Sequence, residues 1–248
     1  MKYPYVLDLH THTVASGHAY CSLREMAKTA ADKGLQLLGI TEHAPAMPGS
    51  CHNYYFHNLK IVPRELYGIQ LLLGAEVNIL DADGTLDLNE RELRNLDVII
   101  ASLHFPCMRP GSCAENTNAY INAMKNPYVN IIGHPDDGRY AIDYPALVEA
   151  AKEYGKVLEM NNHSLGGEGS RKGAYENQLC ILELCKKHQV PVVLGSDAHF
   201  DTRIAEFSLA TAVLEEVDFP PELVLNRSLE AIAGYVNREI KIAAESQK

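Results

Sequence analysis

Val192-Val193-Leu194-Gly195-Ser196-Asp197-Ala198-His199 begins as an unbroken apolar run and ends in two metal-binding residue types. A short β-branched run with no polar interruption fits a strand buried on both faces, as in a parallel sheet covered by helices. Beyond the run, Asp197 and His199 are two residues apart, so on an extended chain they point the same way. The start of the chain repeats the pattern. Tyr5-Val6-Leu7 leads into Asp8-Leu9-His10-Thr11-His12. Strand alternation there predicts Asp8, His10 and His12 on one face and Leu7, Leu9 and Thr11 on the other. Two imidazoles so placed can grip one ion, with Asp8 orienting them from behind.

Between these two stretches the chain alternates strand and helix. Ser22 and Glu25 have capping-box spacing and start a helix that ends at Gly34. A strand at 35–40 ends in Thr41-Glu42-His43. The loop 44–58, with His52 and His57, is long enough to serve as a lid. A short helix is predicted at 59–67, then a strand at 69–79 containing Glu76. Strands at 97–103 and 129–133 end at His104 and His134, and helices at 114–125 and 144–154 follow them. A strand at 156–160 ends in Asn161-Asn162-His163, and a helix at 175–188 precedes the quoted run. The remainder, 203–248, reads as two helices around Phe219-Pro220-Pro221. This is about seven βα units with no linker, and the expectation is one α/β domain over 1–248. An open sheet gathers its ligands at one switch point, whereas a barrel collects them from all its strand ends. Metal-binding residues fall at the carboxyl end of every strand but the sixth, so a TIM-like (β/α) barrel is predicted.

The strand-end set is His10, His12, His18, His43, Glu76, His104, His134, Asp197 and His199. It takes seven of the chain's 11 histidines. Nine ligands exceed the three or four that one zinc takes. They suffice for two or three ions if a carboxylate bridges, and Glu76 is the natural bridge. Nitrogen and oxygen donors without thiolate suit zinc, manganese or iron. Clustered divalent ions suit phosphoester hydrolysis by an activated hydroxide, with no side-chain nucleophile. The sequence carries no nucleophile elbow, no phosphate-binding Gly-x-x-x-x-Gly-Lys and no Gly-x-Gly-x-x-Gly after a strand. Arg171, in Ser170-Arg171-Lys172-Gly173, can contact phosphate. Asn161 and His163 are substrate or supporting groups.

Composition narrows the partners. Charged residues make up 22% of the chain, and 32 acidic against 22 basic residues give a net charge of −10. That weighs against a long nucleic acid or an anionic membrane as partner. It also suits a carboxylate-lined metal site. No leader or membrane-spanning segment is visible. Cys21, Cys51, Cys107, Cys113, Cys180 and Cys185 form no Cys-x-x-Cys, consistent with a reducing cytoplasm.

Asp8-Leu9-His10-x-His12, Thr41-Glu42-His43, Glu76, His104, Gly133-His134-Pro135 and Gly195-Ser196-Asp197-x-His199 together resemble the motifs of the polymerase and histidinol phosphatase (PHP) family. The chain most resembles its small, stand-alone, YcdX-type phosphatase branch. The resemblance implies a distorted seven-stranded barrel with a trinuclear centre, usually of zinc. It implies that His10, His12, Glu76 and Asp197 hold one ion, that Glu76, His104 and His134 hold a second, and that His18, His43 and His199 hold a third. Glu42 stands where many members carry Asp, and it is expected to support the ligands. The family also implies a small phosphorylated substrate and a homo-oligomer, with a trimer as the expected form. Histidinol-phosphate phosphatase, or a PHP-type phosphodiesterase or nuclease, is the same-chemistry alternative. A non-catalytic metal-binding regulatory module is the alternative of another class. It predicts a defective ligand set, and none is visible.

Overall fold

Seven short strands run parallel, each separated from the next by a segment that returns the chain to the same end of the sheet. In the computed structural model, which describes residues 4–166 and 171–242, they are β1 (Leu7–Asp8), β2 (Leu37–His43), β4 (Ile69–Asn78), β5 (Ile99–Ser102), β6 (Ile131–Ile132), β7 (Val157–Asn161) and β8 (Val192–Gly195). They pair in that order, and a two-residue strand, β3 (Glu65–Leu66), adds antiparallel to β4. The helices are α1 (Leu23–Asp32), α2 (Asn53–Asn58), α3 (Glu90–Leu93), α4 (Cys113–Met124), α5 (Tyr144–Tyr154), α6 (Ala174–His188), α7 (Ser208–Glu216) and α8 (Leu229–Ala233). The predicted capping box at α1 is present, with Ser22 and Glu25 satisfying each other's backbone amides. Gly155 ends α5 in the left-handed conformation, as a C-terminal glycine should.

Between β8 and β1 the sheet nearly closes. Near the site end, Thr11 bridges Ala198, and the His12 amide donates to the Ala198 carbonyl at 2.9 Å. Lower down, Asn226 fills the seam. Its Oδ1 accepts the Leu194 amide at 2.7 Å, and its Nδ2 donates to the carbonyls of Leu194 and Leu7 at 2.9 and 3.2 Å. Its own carbonyl accepts the Val6 amide at 2.9 Å. One buried side chain thus links both edge strands, and the result is a distorted barrel.

Two apolar layers follow from strand alternation. Leu7, Leu9, Leu37, Leu72, Val98, Ile100, Ile131, Val157 and Val193 fill the barrel's lower interior, joined by Leu225, Leu229 and Ile232 from the C-terminal segment. The opposite strand faces pack on the helices in a larger layer. Continuing the inward set toward the carboxyl ends leads to His43, Glu76, His104, Glu159 and Asp197, so the barrel turns from apolar to ionisable along its length.

Three expectations need correction. Loop 44–58 is not wholly irregular, because α2 occupies its last six residues. The helix predicted at 59–67 is instead a single 3₁₀ turn at Leu59–Ile61 followed by β3. Pro63 has no amide to continue a helix through that stretch. Past α7 the chain forms two 3₁₀ turns and the five-residue α8 in place of a second long helix. Residues 243–248 and Ser170 lie outside the described residues.

Candidate metal centre

Regular strand pairing of the first strand ends at Asp8. Leu7 and Leu9 point into the inner core, and the chain then leaves strand geometry so that His10 and His12 also enter the centre. Asp8 does not share their task. Its carboxylate accepts the backbone amides of Ala205 at 2.9 Å, His10 at 3.3 Å and Ser196 at 3.4 Å. It supports the main chain of the site, and the expectation that it orients the imidazoles is corrected. His134 and Asp197 take positive φ of 29° and 54°. Such a backbone costs energy for a residue with a side chain, and both residues are at the site.

The predicted ligands come together around Glu76, which is fully buried. Its Oε2 lies 2.8 Å from His43 Nδ1, 3.4 Å from His10 Nε2 and 3.6 Å from His12 Nε2. Its Oε1 lies 2.9 Å from His134 Nε2 and 3.2 Å from His104 Nε2, and accepts from Ser102 Oγ at 2.7 Å. Asp197 Oδ1 lies 3.4 Å from His12 Nε2 and 3.6 Å from His10 Nε2. Three trios have donor atoms within 4.8 Å of one another: His10, His12 and Glu76; His43, Glu76 and His104; and His12, His43 and His199. His18 is exposed and stacks on the rings of His43 and His199, with centroids 4.8 Å away in each case.

Hydrogen bonds behind the rings select their tautomers. His10 Nδ1 donates to Glu159 Oε1 at 2.6 Å. His104 Nδ1 donates to Asn78 Oδ1 at 2.7 Å. His199 Nδ1 donates to the Asp197 carbonyl at 2.9 Å. Ser16 Oγ donates to Glu42 Oε2 at 2.6 Å and accepts the His43 amide at 3.0 Å. Its remaining lone pair therefore faces His12 Nδ1–H at 3.0 Å. With Nδ1 so occupied, each of these four rings turns its Nε2 to the centre, the nitrogen by which it would ligate a metal. His10 Nε2, His12 Nε2, His43 Nδ1 and Glu76 Oε2 are buried without a hydrogen-bond partner among the described residues. Buried polar atoms are rarely left so. Here they converge with short separations but without hydrogen-bond geometry, as ligand atoms around shared cations do. The residues fit a cluster of divalent ions.

The charges agree. Burial raises the pKa of Glu76, yet the imidazoles of His104, His10 and His43 outweigh it and hold the carboxyl well below its usual range. Burial also raises Asp197, and His10, His12 and Arg171 pull it well down. Burial lowers His104 to about 4. Burial also lowers His12, helped by His43 and His199. His10 goes the other way, because the carboxylates of Glu159, Glu76 and Asp197 overcome the effect of burial and raise it.

Arg171 is turned inward. Its Nη2 donates to Asp197 Oδ2 at 3.1 Å, and its Nη1 to Ser164 Oγ at 2.8 Å and Asn161 Oδ1 at 3.2 Å. Asn161 is buried and donates to Glu159 and Asp197. His163 is exposed and lines a cleft beside Asp197 and His199. Glu42 supports the ligands through Ser16 and also accepts the Thr13 amide at 3.0 Å.

Glu159 is the main residue that sequence reasoning missed. Besides His10, it accepts the His134 amide at 2.8 Å. A Cβ on Gly195 would sit 1.8 Å from Glu159 Oε1, so only glycine leaves room for this carboxylate. The available signal was an acidic residue in the middle of the apolar run Val157-Leu158-Glu159-Met160. Asn78 and Ser102 were also missed, although both are polar residues at strand ends.

Residues 8–166 match the family described as the PHP domain. A probable phosphatase of Clostridium novyi is 47% identical over 238 residues, covering 96% of this chain and 97% of that protein. One of Caldanaerobacter subterraneus subsp. tengcongensis is 48% identical over 242 residues, covering 97% and 94%. Among solved structures, histidinol phosphate phosphatase from Lactococcus lactis, complexed with zinc, L-histidinol and phosphate, superposes with a TM-score of 0.58. It is 19% identical and covers 87% of this chain and 95% of that one. A chain from archaeal ribonuclease P with mature tRNA has a TM-score of 0.56 at 17% identity, covering 98% and 100%. At these identities the two structures establish the shared fold.

Proposed function

Because the chain belongs to the PHP domain family, we propose that it is a metal-dependent phosphatase hydrolysing a small phosphate monoester. The observation that carries this reading is the convergence of four unpartnered, buried ligand atoms, His10 Nε2, His12 Nε2, His43 Nδ1 and Glu76 Oε2. In the proposed trinuclear arrangement, His10, His12, Glu76 and Asp197 hold one ion. Glu76, His104 and His134 hold the second, and His18, His43 and His199 hold the third. The donor set suits zinc, with manganese or iron as substitutes. When bound, such ions supply Lewis acidity, lowering the pKa of a water and stabilising charge on phosphate oxygens.

The chain's own residues do the rest by placement. Glu159 fixes the His10 ring, Ser16 and Glu42 fix His12, and Asn78 fixes His104. Arg171 and Asn161 brace Asp197, and Arg171 brings a cationic charge to the site that a phosphate could use. Ser16 and Ser102 donate to the carboxylates of Glu42 and Glu76 and so help to hold the candidate ligands in place. A reducing cytoplasm suits the six cysteines, none of which forms a disulfide. Among the described residues, no helix is long and apolar enough to cross a membrane. The fold is shared with a ribonuclease P chain, so the case against a nucleic-acid substrate rests on net charge alone.

The test is metal removal. Activity on an aryl phosphate should vanish with a chelator and return with added zinc or manganese. Activity that survives complete metal removal would exclude the reading.

A further inference from the structure

Past β4 the chain reverses over Asp81-Ala82-Asp83-Gly84 and returns beside the end of that strand. The Leu80 amide donates to the Thr85 carbonyl at 2.8 Å, and Asp81 Oδ1 accepts the amides of Asp83 and Thr85, each at 3.0 Å. Ile79 then pairs antiparallel with Leu86. The next residue, Asp87, meets Asn78, the last residue of β4. Asp87 Oδ1 accepts the Asn78 amide at 2.8 Å, and Asp87 Oδ2 accepts from Asn78 Nδ2 at 2.6 Å. Oδ2 also accepts the Ala46 amide at 2.8 Å, which fastens the start of loop 44–58.

These contacts decide which way the buried Asn78 side chain faces. A carboxylate only accepts hydrogen bonds, so the end of the amide that meets Asp87 is the NH2 group. The Ala44 carbonyl, 3.2 Å from the same nitrogen, makes the same demand. Asn78 Oδ1 is left to face His104 Nδ1 at 2.7 Å, and it also accepts from Cys107 Sγ at 3.2 Å. An amide oxygen only accepts, so His104 carries a proton on Nδ1. In the neutral ring the lone pair is then on Nε2, which lies 3.2 Å from Glu76 Oε1.

We propose that Asp87 is a positioning residue of the metal centre: through Asn78 it fixes the tautomer of His104, and so the nitrogen that His104 offers to the second ion. Its charge matters more than its size. In Asp87→Asn the new amide can turn, and Asn78 can turn with it. An Asn78 NH2 facing His104 would need the lone pair on Nδ1, which puts the proton on Nε2 and blocks ligation there. The same carboxylate ties this relay, at Ala46, to the loop that follows His43. The assignment rests on the metal-centre reading above.

Asp87→Asn and the swapped pair Asp87→Asn, Asn78→Asp test it. In the pair the carboxylate stands at position 78, accepts directly from His104 Nδ1 and can be held by the new amide at position 87. In the metal-free protein, at a pH where the ring is neutral, the NMR shifts of the ring nitrogens tell which one carries the proton. The His104 signals are assigned by their loss in His104→Gln. Wild type should show the Nδ1–H form alone. Asp87→Asn should populate the Nε2–H form and, in competition with a chelator, bind zinc roughly tenfold more weakly. The swapped pair should return both readouts to wild type. The Nδ1–H form alone in Asp87→Asn would overturn the proposal. So would a loss of zinc affinity that the swapped pair does not restore, because the contribution of Asp87 would then lie at Ala46. Wild-type protein that binds no zinc, manganese or iron would overturn the metal-centre reading, and with it any part of Asp87 in ligation.

Discussion

Glu159 holds the site together from behind, and its removal should be felt at the metal before it is felt in the fold. Glu159→Gln keeps the shape but removes the charge that fixes the His10 tautomer. Zinc affinity, measured by competition with a chelator, should fall by roughly 10- to 100-fold. Unchanged affinity would show that the hydrogen bond does not orient a ligand. Gly195→Ala should be worse, because its Cβ would overlap Glu159 Oε1. His10 adds a prediction about protons. The surrounding carboxylates raise its pKa despite burial, which favours a proton on the ligating nitrogen of the metal-free protein. Zinc must displace it. Zinc titrations in buffers of different ionisation enthalpy should show proton release, and apparent affinity should fall as pH falls. All nine proposed ligands were legible as residues because each stands at a strand end or in the loop that follows one. Glu159 was not, because a single carboxylate inside an apolar strand can as easily signal an edge. Asp8 was misread because alternation was extended past the point where the strand stops.

The loop after β1, which carries His18, and the loop after β2, which begins just past His43, are fitted against each other. Gly17 has φ of 82°, and a Cβ there would sit 2.0 Å from the Gly49 carbonyl oxygen. Gly17→Ala should therefore push these loops apart. Metal content should fall while the far-ultraviolet circular dichroism stays close to wild type. Full metal occupancy in that variant would mean the close approach is not needed to assemble the site. Helix α1 was readable from its capping box and its closing glycine, both local chemistry. Helix α2 was not, because its N-cap is His52, whose Nδ1 accepts the Tyr54 amide at 3.2 Å. Histidine is not among the residues that ordinarily announce a helix start. β3 escaped notice because two residues are too short for any period to show.

In its lower part the barrel's seam is closed by one buried side-chain amide, that of Asn226. Asn226→Ala would strip the partners from three buried backbone groups of Leu7 and Leu194. Each orphaned group costs about 1–3 kcal/mol, so stability should drop by several kcal/mol. For a chain of this size that is a fall in Tm of roughly 10 °C, and a variant melting within a degree or two of wild type would remove Asn226 from that role. The barrel itself was legible, because metal-binding residues at nearly every strand end converge only on a ring. Asn226 was not, since nothing in the C-terminal sequence says which polar residue plugs the seam. The central claim is that these strand ends hold the ions on which phosphate ester hydrolysis depends. Elemental analysis of the zinc-reconstituted protein, wild type beside His10→Ala, His12→Ala, tests it most directly. The account predicts about three zinc ions per wild-type chain, and in the double variant at least one ion fewer, no phosphatase activity and an intact fold. Full zinc content in the double variant would contradict it.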